Sequence, residues 1–266
     1  MNPEVDSHLV LEVRDLTKSF GDFIANDNIT FDVRKGDIHC LLGENGAGKS
    51  TLAKCIYGAS KPDSGSICFK GKEVSFSSPR DAINMGIGMV HQHFVLSEPM
   101  NAVENIIVGE ESTGSIINLE KETENIQFLC DQYGVTIDLN LPVSQLSVGE
   151  QQWIEILKAL YVGVDLLLLD EPTAVLTPQE VEQLFSVISK MAEKGISIIM
   201  ITHKLHEVLS ISQRVTVLRK AKSISTVITN QSTKASLANL LVGRNFDFKV
   251  NKIKISIIIN EQHLKW

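Results

Sequence analysis

The sequence predicts an α/β fold: a largely parallel sheet flanked by helices, with an antiparallel β portion ahead of it and a small helical insertion. Three observations predict it. Short, almost continuous apolar runs at residues 38–42, 87–90, 166–169 and 196–201 have the character of strands covered on both faces. Helical segments separate them, the alternation that builds parallel sheets. Two earlier runs, 9–14 and 29–34, alternate apolar and polar residues, as half-exposed antiparallel strands do.

Taken in order, those first two strands are bounded by turn formers, Gly21-Asp22 and Lys35-Gly36-Asp37. Ile38-His39-Cys40-Leu41-Leu42 then reads as a central strand, and a Gly-rich loop and a helix follow it. Segment 102–135 has helical periodicity and no long apolar run, hence the insertion. Ser147 is followed at three residues by Glu150, and Thr177 by Pro178 and Glu180, so both open helices with capping boxes. After the first, Trp153, Ile156, Leu157, Leu160 and Tyr161 recur at helical spacing; after the second, Val181, Leu184, Phe185 and Ile188 do, and Gly195 is placed to end that helix. Both are expected to pack on the sheet. No internal repeat or low-complexity linker precedes about residue 244.

The bulk numbers restrict function. The 266 residues are enough for a sizeable core, and 43% hydrophobic with 21% charged residues is the balance of a globular protein. A net charge of −7 gives no electrostatic basis for nucleic acid as a partner. The longest apolar runs, 166–169 and 255–259, are strand-sized, against about 20 residues needed to cross a bilayer. Met1-Asn2-Pro3-Glu4-Val5-Asp6 lacks the basic-then-apolar pattern of a secretion signal, so the expected place is the cytoplasm. Cys40, Cys55, Cys68 and Cys130 have no metal-binding spacing and are expected to be free thiols, mostly buried.

Chemistry enters at Gly43-Glu44-Asn45-Gly46-Ala47-Gly48-Lys49-Ser50-Thr51, which fits the phosphate-loop pattern G-x-x-x-x-G-K-[ST]. Its glycines let the backbone curl so that successive N–H groups face phosphates at a helix N-terminus. Lys49 is expected to neutralise the β- and γ-phosphates of a nucleoside triphosphate and the Ser50 hydroxyl to ligate Mg²⁺. Downstream, Leu166-Leu167-Leu168-Leu169-Asp170 is an apolar strand ending in a carboxylate suited to Mg²⁺, directly or through water. Glu171, next in the chain, would accept a proton from the attacking water or orient it.

Leu146-Ser147-Val148-Gly149-Glu150-Gln151-Gln152, just upstream of that strand, resembles the signature of the ATP-binding cassette (ABC) family. The Ser147 hydroxyl and Gly149 N–H would be offered to a phosphate. The resemblance implies further roles: Phe20 as the aromatic under adenine, Gln92 as the glutamine that touches Mg²⁺ and senses a membrane partner, and His203 as the histidine on the γ-phosphate. His39, His91 and His93 are left as packing or surface residues. The wording of residues 37–51, 88–94, 146–152 and 171–178 resembles the first half of the tandem ATPase subunits of bacterial simple-sugar and purine-nucleoside importers. His91-Gln92-His93-Phe94 and Thr173-Ala174-Val175-Leu176-Thr177-Pro178 lean towards the nucleoside branch. What the resemblance implies is a cassette over residues 1–244, with its helical insertion at about 95–160. It implies hydrolysis of ATP with Mg²⁺, and a place on the inner face of the membrane. The implied partners are a second cassette, transmembrane permease subunits and, indirectly, a substrate-binding lipoprotein.

Three departures accompany it. Thr177 stands where most of the family has Asp, a change common in first halves and suggestive of unequal ATP sites. Trp153 replaces a smaller or basic residue and is expected to pack. Residues 245–266 resemble nothing in the family, and no second phosphate loop follows; both a truncated product and a single cassette pairing with its own copy fit that text. A soluble ABC factor would call for basic arms or a long insertion, which the text lacks, and an idle remnant is opposed by intact Lys49, Asp170, Glu171 and His203.

Overall fold

The structure is a computed structural model that describes residues 8–92, 94–108 and 118–243. The tail, 245–266, with its apolar run at 255–259, and His93 lie outside the described residues.

A four-stranded antiparallel sheet comes first. Strand β1 (Leu9–Phe20) pairs with β2 (Phe23–Arg34) and with β4 (Ser64–Phe69), and β4 with β5 (Lys72–Val74). Both opening strands are longer than the alternation predicts. Asp15 and Asn28 take positive φ, and the β1–β2 register shifts along its length, so bulges break the period without ending the pairing.

Six strands form the second sheet in the order β10-β9-β3-β8-β7-β6: β3 (Ile38–Gly43), β6 (Ile87–Val90), β7 (Leu166–Asp170), β8 (Ser197–Thr202), β9 (Arg214–Arg219) and β10 (Lys222–Ile228). All neighbours are parallel except β9 and β10. Every residue of β3, β6, β7 and β8 is buried, which explains the unbroken apolar runs. Alternate residues serve two cores. Ile38, Cys40, Leu42, Leu167, Leu169, Ile198 and Met200 face one; Leu41, Leu166, Leu168, Ile199 and Ile201 face the other, together with Leu11, Phe31 and Leu52.

The helices are α1 (Lys49–Ile56), α2 (Pro79–Asn84), α3 (Ala102–Ile107), α4 (Leu119–Tyr133), α5 (Val148–Val162), α6 (Pro178–Glu193), α7 (Leu205–Ile211) and α8 (Lys234–Val242). Both predicted capping boxes are formed, at Ser147/Glu150 and Thr177/Glu180. Trp153 is buried on α5 beside Ile156 and Leu157, as its place in the stripe requires. Helices α3 and α4 occupy the predicted insertion and join the core that α5 closes. Cys40, Cys55 and Cys130 are buried free thiols; burial pushes them up to about 12, 11 and 11 respectively, while Cys68 is half-buried.

Candidate functional site

Parallel strands deliver their C-terminal ends to one edge of the sheet, where α/β folds place ligands. Here β3 ends at Gly43, β7 at Asp170 and β8 at Thr202, with Leu42 opposite Thr202 and Asp170 opposite Ile201. The phosphate-loop pattern, the acidic pair and His203 therefore issue from adjacent strand ends.

The loop from β3 to α1 turns through Gly46 and Gly48, both at positive φ. Gly48 is held to glycine twice over: its φ is +97°, and a Cβ there would lie 2.2 Å from the Ala25 carbonyl oxygen and 2.6 Å from Asn26 Nδ2. Helix α1 has no side-chain N-cap and no acid in its first turn, which leaves its leading N–H donors to an anion. Lys49 is buried and its ammonium donates to the carbonyls of Gly43 (2.8 Å) and Glu44 (3.0 Å). Burial lowers its pKa, against the opposing pull of Glu171 and Asp170.

Ser50 Oγ donates to Asp170 Oδ1 at 3.3 Å. Burial raises the Asp170 pKa, the Ser50 bond opposes that, and the Glu171 charge adds to it. Two hard oxygen donors thus converge beside Lys49, a set that suits Mg²⁺ completed by phosphate oxygens and water. Among the described residues no three His, Cys, Asp or Glu side chains form a cage of their own.

Glu171 sits at φ 48°, a left-handed conformation that costs a non-glycine residue about 1–3 kcal/mol and persists where the surroundings over-determine it. Its N–H donates to the Ile201 carbonyl (3.0 Å) and its carbonyl accepts from Ala174 N–H (3.1 Å). Its Oε1 lies 3.0 Å from His203 Nδ1. The next residue, Pro172, has its carbonyl held by the buried Gln152 side chain on α5 at 2.6 Å.

A cleft of about 310 Å³ opens here, walled by Asn45, Gly46, Gly48, Lys49, Ser50, Thr51, Gln92 and Glu171 together with Phe23 and Ala25. Gly43, Glu44 and Ala47 complete the loop without lining the cleft, the first two through carbonyls that accept from Lys49, and Asp170 and His203 are linked to the wall through Ser50 and Glu171. Phe20 does not line the cleft. It lies at the β1–β2 hairpin tip, 55% exposed, with Lys18 Nζ 5.3 Å from its ring, while its cross-strand partner Phe23 supplies the aromatic wall. Ser147 and Gly149 do not line it either; they stand at the start of α5, where a Cβ on Gly149 would meet Glu180 of α6 at 2.4 Å. His39 is fully buried and bonds Thr216 through Nε2, and His91 packs edge-on against Tyr57, so both are packing residues.

Motif reading missed Phe23, Ala25 and Asn26, which belong to the antiparallel sheet and meet the loop only in three dimensions. Asn26 is fully buried and donates from Nδ2 to the Gly48 carbonyl at 3.0 Å. No local signal marks Asn26, since Asn26-Asp27-Asn28 reads as a polar turn and not as part of a strand.

Comparison with known proteins accords with this geometry. Residues 26–174 match the family model described as ABC transporter. A nucleoside import ATP-binding protein, NupA of Lactococcus lactis subsp. cremoris, is 46% identical over 244 residues, 91% of this chain and 48% of that protein. The guanosine import ATP-binding protein NupO of Bacillus subtilis is likewise 46% identical over 244 residues, with 91% and 48% covered. The chain spans about half the length of the curated relatives it matches. The crystal structure of a nucleotide-free ATP-binding cassette from an ABC transporter superposes with a TM-score of 0.77 at 25% identity, over 88% of this chain and 95% of that one. No described helix is long and apolar enough to cross a membrane. On the family match and the fold it shares with a solved cassette, the chain belongs to the ABC transporter family.

Proposed function

We propose that the chain binds ATP with Mg²⁺ in the cleft at the strand ends and hydrolyses it to power an importer of nucleosides or simple sugars. The observation that carries the reading is the convergence of Lys49, Ser50, Asp170, Glu171 and His203, linked by the 3.3 Å Ser50–Asp170 and 3.0 Å Glu171–His203 contacts. The uncapped start of α1 and the loop glycines would bind the phosphates, and Phe23 would meet the base. Lys49, now on two carbonyls, would turn its charge to the β- and γ-phosphates. Mg²⁺, held by Ser50 and Asp170 with Gln92 at its rim, would neutralise charge on the phosphate oxygens. Glu171 would take the proton of the attacking water, and His203 would hold the Glu171 carboxylate and hydrogen-bond the γ-phosphate.

Ser147 and Gly149 would serve the phosphate of an opposing cassette, since they stand apart from this chain's own cleft wall. Residues 1–244, with the insertion at about 95–160, would constitute the cassette. A transmembrane permease would hold it on the inner face of the membrane, near Gln92, and receive cargo from a substrate-binding lipoprotein. Import of nucleosides or sugars is supported by the names of the relatives, among them a glucose import ATP-binding protein of Haloferax volcanii at 42% identity over 275 residues.

Phosphate release from Mg·ATP tests the chemistry. Glu171→Gln keeps the shape and removes the base, so release should fall by about 10²-fold or more while bound ATP is retained. Release at the parent rate would refute the role given to Glu171.

A further inference from the structure

We propose that Glu207 is a positioning residue for this reaction: its buried carboxylate ties the turn that carries Glu171 to the turn that carries His203. The inference rests on the hydrolytic role proposed for that pair.

Glu207 lies in the first turn of α7 and is 1% exposed, an expensive place for a carboxylate unless its oxygens are satisfied. They are satisfied by both turns. Thr173 Oγ1, two residues beyond Glu171, donates to Glu207 Oε1; Thr202 Oγ1, immediately before His203, donates to Oε2 at 2.7 Å. Lys204, immediately after His203, completes the net. Its ammonium lies 3.1 Å from Glu207 Oε1 and donates to the carbonyl (3.1 Å) and hydroxyl (3.0 Å) of Thr173, while its N–H donates to Thr202 Oγ1 at 3.1 Å.

The hydroxyls of Thr173 and Thr202 are thereby oriented. Each donates to the carboxylate and accepts from Lys204, so the carboxylate must accept twice and cannot be replaced by a group with a donor on one side. The net joins the turns that leave β7 and β8, the two that carry the 3.0 Å Glu171–His203 contact, and it braces a segment whose first residue is held at φ 48°. Packing alone needs no charge at this place; a clamp on two turns does.

Glu207→Gln places an amide N–H₂ against one of the two oriented hydroxyls and weakens the Lys204 pairing. Thr173→Val removes one arm at nearly constant volume, and Thr173→Ser keeps it. ATP affinity, kcat and KM for Mg·ATP should be measured for all three, with a crystal structure of Glu207→Gln. For Glu207→Gln, kcat should fall on the order of 10²-fold with ATP affinity within about twofold of the parent, since misplacing a catalytic group costs rate rather than ground-state binding. Thr173→Val should fall in the same direction by less, and Thr173→Ser should recover the parent kcat. In the crystal, the Glu171–His203 contact should be lost or the Glu171 φ should leave the left-handed region. Parent kcat in both Glu207→Gln and Thr173→Val overturns the proposal, as does a crystal structure with contact and φ unchanged. So does loss of ATP affinity in step with kcat, which would mark a merely structural role. Should Glu207→Gln not fold, the Thr173→Val and Thr173→Ser pair decides by the same kcat criterion. Should the parent release no phosphate, the hydrolytic reading fails, and the crystal structure alone decides whether Glu207 holds the pair.

Discussion

At the residue scale, what the sequence reveals depends on whether a side chain acts through its neighbours in the chain or across the fold. Lys49, Ser50, Asp170 and Glu171 are legible because the first two open the helix that follows one buried strand and the last two close another, in local patterns of fixed spacing. Phe23, Asn26 and Glu207 are not, because each takes its place from a contact across the fold: Phe23 walls the cleft beside the loop glycines, Asn26 holds the Gly48 carbonyl, and Glu207 reaches Thr173 as well as its near neighbour Thr202. Phe20, expected under adenine, stands across a two-residue hairpin turn from Phe23, and of the two it is Phe23 that lines the cleft in this structure. Gly48→Ala should lower stability by more than about 2 kcal/mol in urea titration, because it combines a forbidden φ with a clash against the Ala25 carbonyl; an unchanged midpoint would contradict this. His39 yields a pH prediction. Burial pushes its imidazole down to about 3 from 6.5, with Arg214 adding to the shift and Asp32 opposing it. The folded chain thus keeps His39 neutral where the unfolded chain would protonate it. Its contribution is whole above pH 6.5 and is lost as pH falls towards 3. Thermal melts from about pH 7 to about pH 4 should therefore show a steeper fall in Tm for the parent than for His39→Gln. Equal slopes would assign the acid sensitivity elsewhere.

At the element scale, two helix starts and the Gly21-Asp22 turn between β1 and β2 were legible, and the two later hairpins were not. The capping boxes at Ser147 and Thr177 are local chemistry, and both formed where the text put them. The β4–β5 and β9–β10 hairpins escaped the pattern for different reasons. The first turns at Lys70-Gly71 and the second at Lys220-Ala221, with positive φ at both residues of each turn. Gly71 is a usable signal for such a turn; Lys220-Ala221 carries no glycine or asparagine and is imposed by strand pairing. The apolar–polar alternation understates the length of β1 and β2 because bulges interrupt it. Trp153, the unusual residue of α5, is core rather than site. Trp153→Ala should cost about 3 kcal/mol of unfolding free energy through the cavity it leaves. In the variant that remains folded, ATP affinity should match the parent, and loss of affinity without loss of stability would move Trp153 into the site.

At the scale of the whole molecule, one mostly parallel sheet divides two cores and presents loop, acids and histidine at a single edge. This arrangement follows from buried strands whose C-terminal residues and following loops carry the chemistry. Ser147 and Gly149 do not wall that cleft, and we assign them to an opposing cassette. Glu171→Gln with Mg·ATP should then form a dimer that light scattering detects as a concentration-dependent rise in mass. Thr177 would face its own copy there without the bridging Asp common in the family, so the dimer should be weak. A chain that stays monomeric at every concentration would contradict the assignment of Ser147 and Gly149. The central claim, that the strand-end cleft is the ATP site and Lys49 its charge, is tested most directly by titrating Mg·ATP into the parent and into Lys49→Ala. Saturable binding by the parent, weakened at least about tenfold in the variant by loss of a charge-assisted contact, is the predicted result. Equal affinity in both, or no binding by a folded parent, would contradict it.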